Sequence, residues 1–379
     1  MSKPSSRKLG NIFTWNVAAL LLFGLLCLLS ASMIIAKTQF HDPYYYVKQQ
    51  LLKGVLLGAL GFLIAVKIPW KVYKKITPFL FVAGLILTIL VFTPLGLELN
   101  GARRWLQIGS FTFQPNEIFK ITFIMYLSLW LAQKTPAQRN SMGSVIAFIF
   151  FLGIAAAVML PQPATSSFLI LAASACIVYF LSGIKIRYIL ITILIVALVL
   201  GGGFFLLKKL APNDYRVQRL SNFISFNQED GNKNLEDNYQ LNQSLIAIGS
   251  GGLTGVGFGN AVSKYNNSLP EPIGDSIFAV IAQEFGFIGG VVIIILYLSL
   301  FLLGIRIGRQ CPDQFGKLLS YGIVSLILIQ VFVHIGALTK IIPFTGQPLP
   351  LISYGGTNLA ITLTSLGIVV NISKWGSSY

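Results

Sequence analysis

Residues 275–304 read DSIFAVIAQEFGFIGGVVIIILYLSLFLLG. So long an apolar run exceeds the roughly 20 residues that a helix needs to cross a bilayer, and its only charges are Asp275 at the head and Glu284 further in. Nine further runs of this kind extend outward from it, at 13–36, 49–67, 76–94, 115–133, 142–160, 166–183, 186–207, 318–339 and 352–373. The expected fold class is an all-α polytopic membrane protein with about ten transmembrane helices. Composition agrees, since 55% of the 379 residues are hydrophobic and 11% charged, with a mean hydropathy of +0.75. That excludes a soluble enzyme with a single anchor, and the long unbroken runs exclude a β-barrel, whose strands alternate over about ten residues. The first run is longer than the h-region of a cleaved signal and is read as retained.

The net charge of +16 would suggest nucleic acid in a soluble chain. Here it sorts by membrane side. With the N-terminus inside, 15 Lys and Arg fall in cytoplasmic segments, among them Lys67, Lys71, Lys74 and Lys75, whereas the short outer loops hold five, Lys37, Lys48, Arg103, Arg104 and Lys340. This bias places both termini in the cytoplasm and makes the basic excess a topology signal. The chain 1–379 reads as one integral membrane domain with a cytoplasmic tail at 1–12 and a large extracytoplasmic loop, 208–274, between helices seven and eight. Most carboxylates lie on the outer side, which makes that face the chemically equipped one. Cys27, Cys176 and Cys311 form neither a disulfide framework nor a zinc site.

Two outer segments depart from short connectors. Residues 95–114 are polar and punctuated by glycine, leading to Pro115 at a helix start. Within 208–274, the stretch 227–238 has almost no apolar residue and is expected to be mobile, 240–250 has a helical pattern, and 249–259 is glycine-rich, suiting a re-entrant or surface-lying element.

Ionisable groups in apolar spans are functional candidates by default. Glu117 and Lys120 share one helical face three residues apart; they read either as a mutually neutralising pair or as an acid and a cation lining a polar cavity. Asp275 reads as a helix N-cap or as a catalytic carboxylate. Glu284, about 13 Å further along the same helix and on its opposite face, reads as a buried structural carboxylate or a functional one. His334 reads as a packed imidazole. Arg103, Arg104, Arg216, Arg219 and Lys264 would together suit a pyrophosphate, the alternative being loop solvation and contact with anionic lipid.

Several motifs resemble, in order and over nearly the whole chain, the SEDS family (shape, elongation, division and sporulation) of polytopic cell-wall polymerases. They are Gly101-Ala102-Arg103-Arg104-Trp105, Gln114-Pro115-Asn116-Glu117-Ile118-Phe119-Lys120, Gln162-Pro163, Tyr215-Arg216-Val217-Gln218-Arg219, Gln243–Gly252, Leu269-Pro270-Glu271 leading to Asp275, and Pro348-Leu349-Pro350-Leu351-Ile352-Ser353-Tyr354-Gly355-Gly356. The resemblance is closer to the division branch than to the elongation branch. It implies a peptidoglycan glycosyltransferase that polymerises lipid II at the outer face of the cytoplasmic membrane during septal synthesis. Asp275 matches the family's essential aspartate and Glu117 with Lys120 its acid–base pair. The implied reaction is an inverting transfer: Asp275 takes the proton of the acceptor 4-hydroxyl, and undecaprenyl pyrophosphate leaves.

Substrate-binding candidates are Glu117, Lys120, Arg103, Arg216, Arg219, Lys264 and Ser353. A divalent cation, magnesium or manganese, is a candidate assistant with no ligand cluster visible for it, and no organic cofactor is expected. Implied partners are a class B penicillin-binding protein transpeptidase, other divisome membrane proteins and membrane lipids, with no nucleic acid. The chain departs from the family pattern at Gly274 and Ser276 around the aspartate, at Ala164 where an acid is usual, and at His334 where an asparagine is usual. The alternatives weighed are a lipid II flippase, a non-catalytic divisome scaffold, and an elongation-type polymerase.

Overall fold

Residues 6–99, 102–109, 111–211, 214–225, 235–265 and 268–375 are described in a computed structural model of the chain. Helix α1 (Ser6–Phe40) is followed by a rod in which α2 (Tyr45–Gln50), a π-helical segment (Leu51–Leu56) and α3 (Leu57–Lys67) succeed one another, then by α4 (Trp70–Leu90). Strands β1 (Gly96–Leu99), β2 (Ala102–Ile108) and β3 (Phe111–Phe113) precede α5 (Pro115–Gln133), the short α6 (Pro136–Arg139), α7 (Met142–Met159), α8 (Thr165–Leu181) and α9 (Ile186–Leu210). Then come α10 (Tyr215–Ser225), α11 (Leu235–Ser250), α12 (Val262–Tyr265), α13 (Ile277–Gln310), α14 (Gln314–Leu338) and α15 (Gly356–Trp375).

All ten apolar runs are helical through their centres, and among the described residues eight helices are long and apolar enough to cross a membrane. The other two runs are α8, which spans 17 residues, and α5, whose head bears Glu117 and Lys120. Both pack on α14. Their polar or short sequences are tolerated because α14 and its neighbours cover them: Phe119, Phe123, Leu171 and Val178 belong to the same buried cluster as Leu318, Ile323 and Val324 of α14. A smaller cluster, formed by Leu28 and Ala31 with Ala247, Ala261, Leu269 and Ile273, lies under the segment that carries Asp275.

The polar, glycine-punctuated region 95–114 folds into an antiparallel sheet in the order β1-β2-β3. Glu98 pairs with Arg103 and Leu106 with Phe113 across the strands. Alternate residues of a strand point to opposite faces, so adjacent arginines on β2 are sent different ways. The long segment 208–274 is largely structured: the helical pattern at 240–250 is α11, and α10 and α12 flank it. Of the stretch expected to be mobile, residues 227–234 lie outside the described residues.

The run that opened the sequence reading is not one straight helix. Gly286 has φ 65° and ψ −163°, and the glycine-rich turn 251–257 fits into the resulting break. The N–H groups of Val256 and Gly257 donate to the carbonyls of Gln283 and Glu284 (both 3.0 Å), and those of Phe287 and Ile288 donate to Gly252 and Leu253 (2.9 and 3.2 Å). Irregular backbone at membrane depth requires such satisfaction from neighbouring protein. Only glycine fits the break, because a Cβ on Gly286 would stand 2.4 Å from the Gly255 nitrogen.

Candidate functional site

The segment 345–355 is irregular, and polar side chains projecting from the bundle hold its carbonyls. Gln330 Nε2 donates to Pro348 (3.1 Å), His334 Nδ1 to Gln347 (2.6 Å), and the Tyr297 hydroxyl to Pro350. Gln50 bridges the far end, donating to the Ser353 carbonyl (3.2 Å) and accepting from the Gly355 N–H (3.0 Å). His334 is thus a packed, hydrogen-bonded imidazole, 1% exposed, as its sequence reading had it. Ser353 Oγ accepts from the Leu349 N–H (2.8 Å) and donates to the Gly274 carbonyl (2.7 Å), while the Tyr354 N–H donates to Ile273 (2.8 Å). Ser353 therefore ties this loop to the backbone just ahead of Asp275.

Asp275 is held on its own side as well. Glu271, between two prolines, takes φ +46°, and its carbonyl accepts from both Gly274 and Ser276 N–H (3.1 Å each). The N-cap of α13 is Ser276, which makes no side-chain cap bond; the capping reading of Asp275 is corrected accordingly, and its carboxylate is left for other work. That carboxylate lies against the backbone of Gly346, where a Cβ would stand 3.1 Å from Oδ2. Burial, reinforced by the neighbouring Glu271 charge, pushes the Asp275 carboxyl up to about 6, against the opposing pull of Arg219 and Arg104. Such a group is predominantly ionised at neutral pH and close enough to it to accept a proton in a transition state.

The Glu117–Lys120 pair is confirmed as a buried contact. Its atoms are 2.8 Å apart with 7% and 1% of the side chains exposed, and Asn358, at the start of α15, donates to Glu117 Oε2 (2.7 Å). Glu117 sits in the first turn of α5 behind Pro115, where a helix dipole favours an acid. Next to it Asn116 Nδ2 donates to Gln162 Oε1 (3.0 Å), and Gln162 Nε2 donates to the Thr88 carbonyl (2.7 Å). Ala164, the departure that follows, occupies the N-cap of α8.

The cations divide. Arg104 Nε donates to the Gln162 carbonyl (3.2 Å) and, with Arg219, contributes to the field at Asp275. Arg216 donates through its guanidinium to the Leu160 carbonyl (2.5 Å), and its N–H meets Asp214 (2.8 Å). Arg103 points the other way and pairs with Glu98 at 3.4 Å, both side chains more than half exposed. Of the two it is Arg104 that bears on Asp275, because side chains alternate along the strand. Lys264, taken from the sequence as a ligand for phosphate, is 2% exposed. Its ammonium is bound by Glu284 (2.5 Å), the Ser30 hydroxyl (2.7 Å) and the Ser30 carbonyl (3.1 Å). It is a structural partner of Glu284, whose buried-structural reading this supports.

Among the described residues no group of three or more His, Cys, Asp or Glu side chains is placed to hold a metal ion. Asp275 and Glu271 are the carboxylates at the centre of the site, and two do not make a protein cage for a divalent cation. Sequence reasoning passed over Gln50, Asn358 and Gly346. Gln50 was the most accessible of these, being an amide at the head of an apolar run.

The chain matches the model of the FTSW_RODA_SPOVE family, described as cell cycle proteins, over residues 11–377. It is similar to the stage V sporulation protein E of Bacillus subtilis, with 34% identity over 94% of each chain. It is also similar to a protein of Geobacter metallireducens named as a probable peptidoglycan glycosyltransferase FtsW, with 34% identity over 94% of this chain and 92% of that one. Among solved structures, the rod shape determining protein RodA of Thermus thermophilus shares the fold with a TM-score of 0.67 and 24% identity, over 96% of this chain and 95% of that one. A chain of a peptidoglycan synthase complex, described as coordinating polymerization and crosslinking, aligns with a TM-score of 0.79 and 24% identity, over 97% and 98%.

Proposed function

The chain belongs to the FTSW_RODA_SPOVE family of multi-pass membrane proteins, and on that premise we propose that it is a peptidoglycan glycosyltransferase that polymerises lipid II. The observation that carries the reading is Asp275, a carboxyl raised to about 6 and held by backbone on two sides in the field of two arginines. Its relatives' printed names support the reaction class.

In the proposed step Asp275 accepts the proton of the acceptor N-acetylglucosamine 4-hydroxyl. The freed oxygen attacks the anomeric carbon of the donor N-acetylmuramic acid, the bond to the pyrophosphate oxygen breaks, and its electron pair leaves with undecaprenyl pyrophosphate. One displacement inverts the anomeric configuration without a covalent intermediate. Arg104 and Arg219, with Arg216, supply positive charge for the leaving phosphates; the Glu117–Lys120 pair is buried at the head of α5. Ser353 acts by holding the 273–275 backbone. A magnesium or manganese ion, where used, would be held mainly by the substrate's phosphate oxygens.

The extracytoplasmic placement of the site, the septal role, and pairing with a class B penicillin-binding protein and other divisome proteins belong to this same proposal; the likeness to a chain of a synthase complex supports the pairing. A transport reading would need ionisable groups lining a path through the bundle, and the deep carboxylate Glu284 is instead sealed by Lys264. The test is polymerisation of labelled lipid II by the purified chain with its transpeptidase partner, native against Asp275→Ala at equal complex formation. Glycan strands from the native complex alone support the assignment. Equal product from both would overturn the role of Asp275, and none from either would overturn polymerisation in favour of transport or scaffolding.

A further inference from the structure

Asp275 rides on a short lever. The break at Gly286 separates residues 277–285 from the long membrane-crossing part of α13, so the orientation of the leading piece is not inherited from that rod. Asp275 lies about 16 Å from the break along the helix axis, and a tilt of about 10° there would displace its carboxylate by about 3 Å. Displacements of about 1 Å are enough to cost on the order of a hundredfold in rate.

Two sets of contacts hold the lever. The backbone bonds to the 251–257 turn fix its inner end. The second set is made of side chains: Ser263 Oγ donates to Gln283 Oε1 (2.6 Å), Gln283 Nε2 donates to Ser250 Oγ (2.9 Å), and Glu284 receives Lys264 Nζ and the Ser30 hydroxyl (2.5 and 2.6 Å). Ser30 belongs to α1, a separate 35-residue helix. It is through Glu284 that the lever is fastened by side chains to that helix. The reaction proposed above uses neither Glu284 nor Lys264, although an ionic pair buried to 1% and 2% is usually no more stable than well-packed apolar residues.

We propose that Lys264, Glu284 and Ser30 are positioning residues that clamp the half-helix 277–285 to α1 and thereby set the place of Asp275 between Gly346 and the arginines Arg104 and Arg219. The inference rests on the glycosyltransferase reading for its catalytic consequence. The charges that face Asp275 are Glu271, Arg219 and Arg104; none is part of the clamp, so a change at Asp275 caused by clamp variants reports movement and not a lost neighbour.

The test uses the full chain with its transpeptidase partner and compares native protein with Glu284→Gln, Lys264→Met and the double apolar variant Lys264→Met/Glu284→Leu. The double variant removes both charges together and avoids stranding one of them. For the double variant at native melting temperature, kcat for lipid II polymerisation falls on the order of 10- to 100-fold with KM little changed. The acid limb of its pH profile moves below that of the native enzyme as Asp275 gains water, and amide hydrogen exchange in 277–285 rises. Native kcat, native acid limb and native exchange in the folded double variant would overturn the clamp. If the native complex makes no glycan at all, the glycosyltransferase reading falls by itself. Exchange in 277–285 then still decides the clamp, faster exchange in the double variant supporting it and unchanged exchange overturning it.

Discussion

Replacing Glu271 by Gln should move the acid limb of polymerisation to lower pH. In the native chain Asp275 is raised from 3.8 to about 6, burial being the larger cause and the Glu271 charge the next. A base that works ionised is about half active at pH 6 and about one-tenth active at pH 5 on this titration. Glu271 is itself exposed, so its repulsion is screened, and its removal should recover about one pH unit, or ~1.4 kcal/mol. Burial still holds the carboxyl above its ordinary value. The limb then falls near pH 5, and at that pH the variant should outpace the native enzyme about fivefold, the two converging above about pH 7. The geometry is preserved, since the contacts of Glu271 to Gly274 and Ser276 are made by its carbonyl. The assay is the initial rate of glycan formation from labelled lipid II between pH 4.5 and 8, at saturating substrate. A limb that stays in place, or moves up, would refute the assignment of Asp275 as the titrating base.

Arg219→Gln removes a charge that favours the ionised carboxylate, so its limb should move up, the opposite direction, in the same assay. Arg104→Ala should lower polymerisation at pH 7 by about tenfold or more, whereas Arg103→Ala, which loses only an exposed pair worth about 0–1 kcal/mol, should stay within about twofold; side-by-side rates decide. Glu117→Gln strands the Lys120 ammonium and should cost about 3–5 kcal/mol of stability, read from melting in detergent, with a Glu117→Leu/Lys120→Met double variant recovering most of it. Gly346→Ala places a Cβ 3.1 Å from Asp275 Oδ2 at φ +56°, and it should reduce kcat while costing about 1–2 kcal/mol in backbone strain.

The spans were legible because run length alone reports them, and Pro115 marked the head of α5 for the same local reason. The sheet at 96–113 was obscured by its brevity and polarity, although the side-by-side arginines already carried a period of two. Choosing between Arg103 and Arg104 required knowing which face meets Gln162, a residue 58 positions away. Lys264 looked like one more loop cation, because its partners are remote: Glu284 lies 20 residues on and Ser30 lies 234 back. Asp275 was legible from its place before an apolar run, but the cap signal there belonged to Ser276. Part of what holds Asp275 in place, Gly346 and Ser353, comes from the far end of the chain and leaves no mark near it. Local signals thus gave the helices, and non-local packing assigned the charges.

The π-helical segment Leu51–Leu56 has a consequence for residue numbering itself. Beyond it, Gly58 and Gly61 lie against Leu363 and Thr364 of α15, and before it Gln50 grips both Ser353 and Gly355. A π turn holds about one residue more than an α turn, so the two contacts agree only because of that surplus. Removing one residue between 51 and 56 would restore a regular helix, keep the seam with α15, and swing Gln50 about 100° around the axis, away from the loop. The length of this segment is an angular setting, indifferent to most single substitutions and reset by a single deletion.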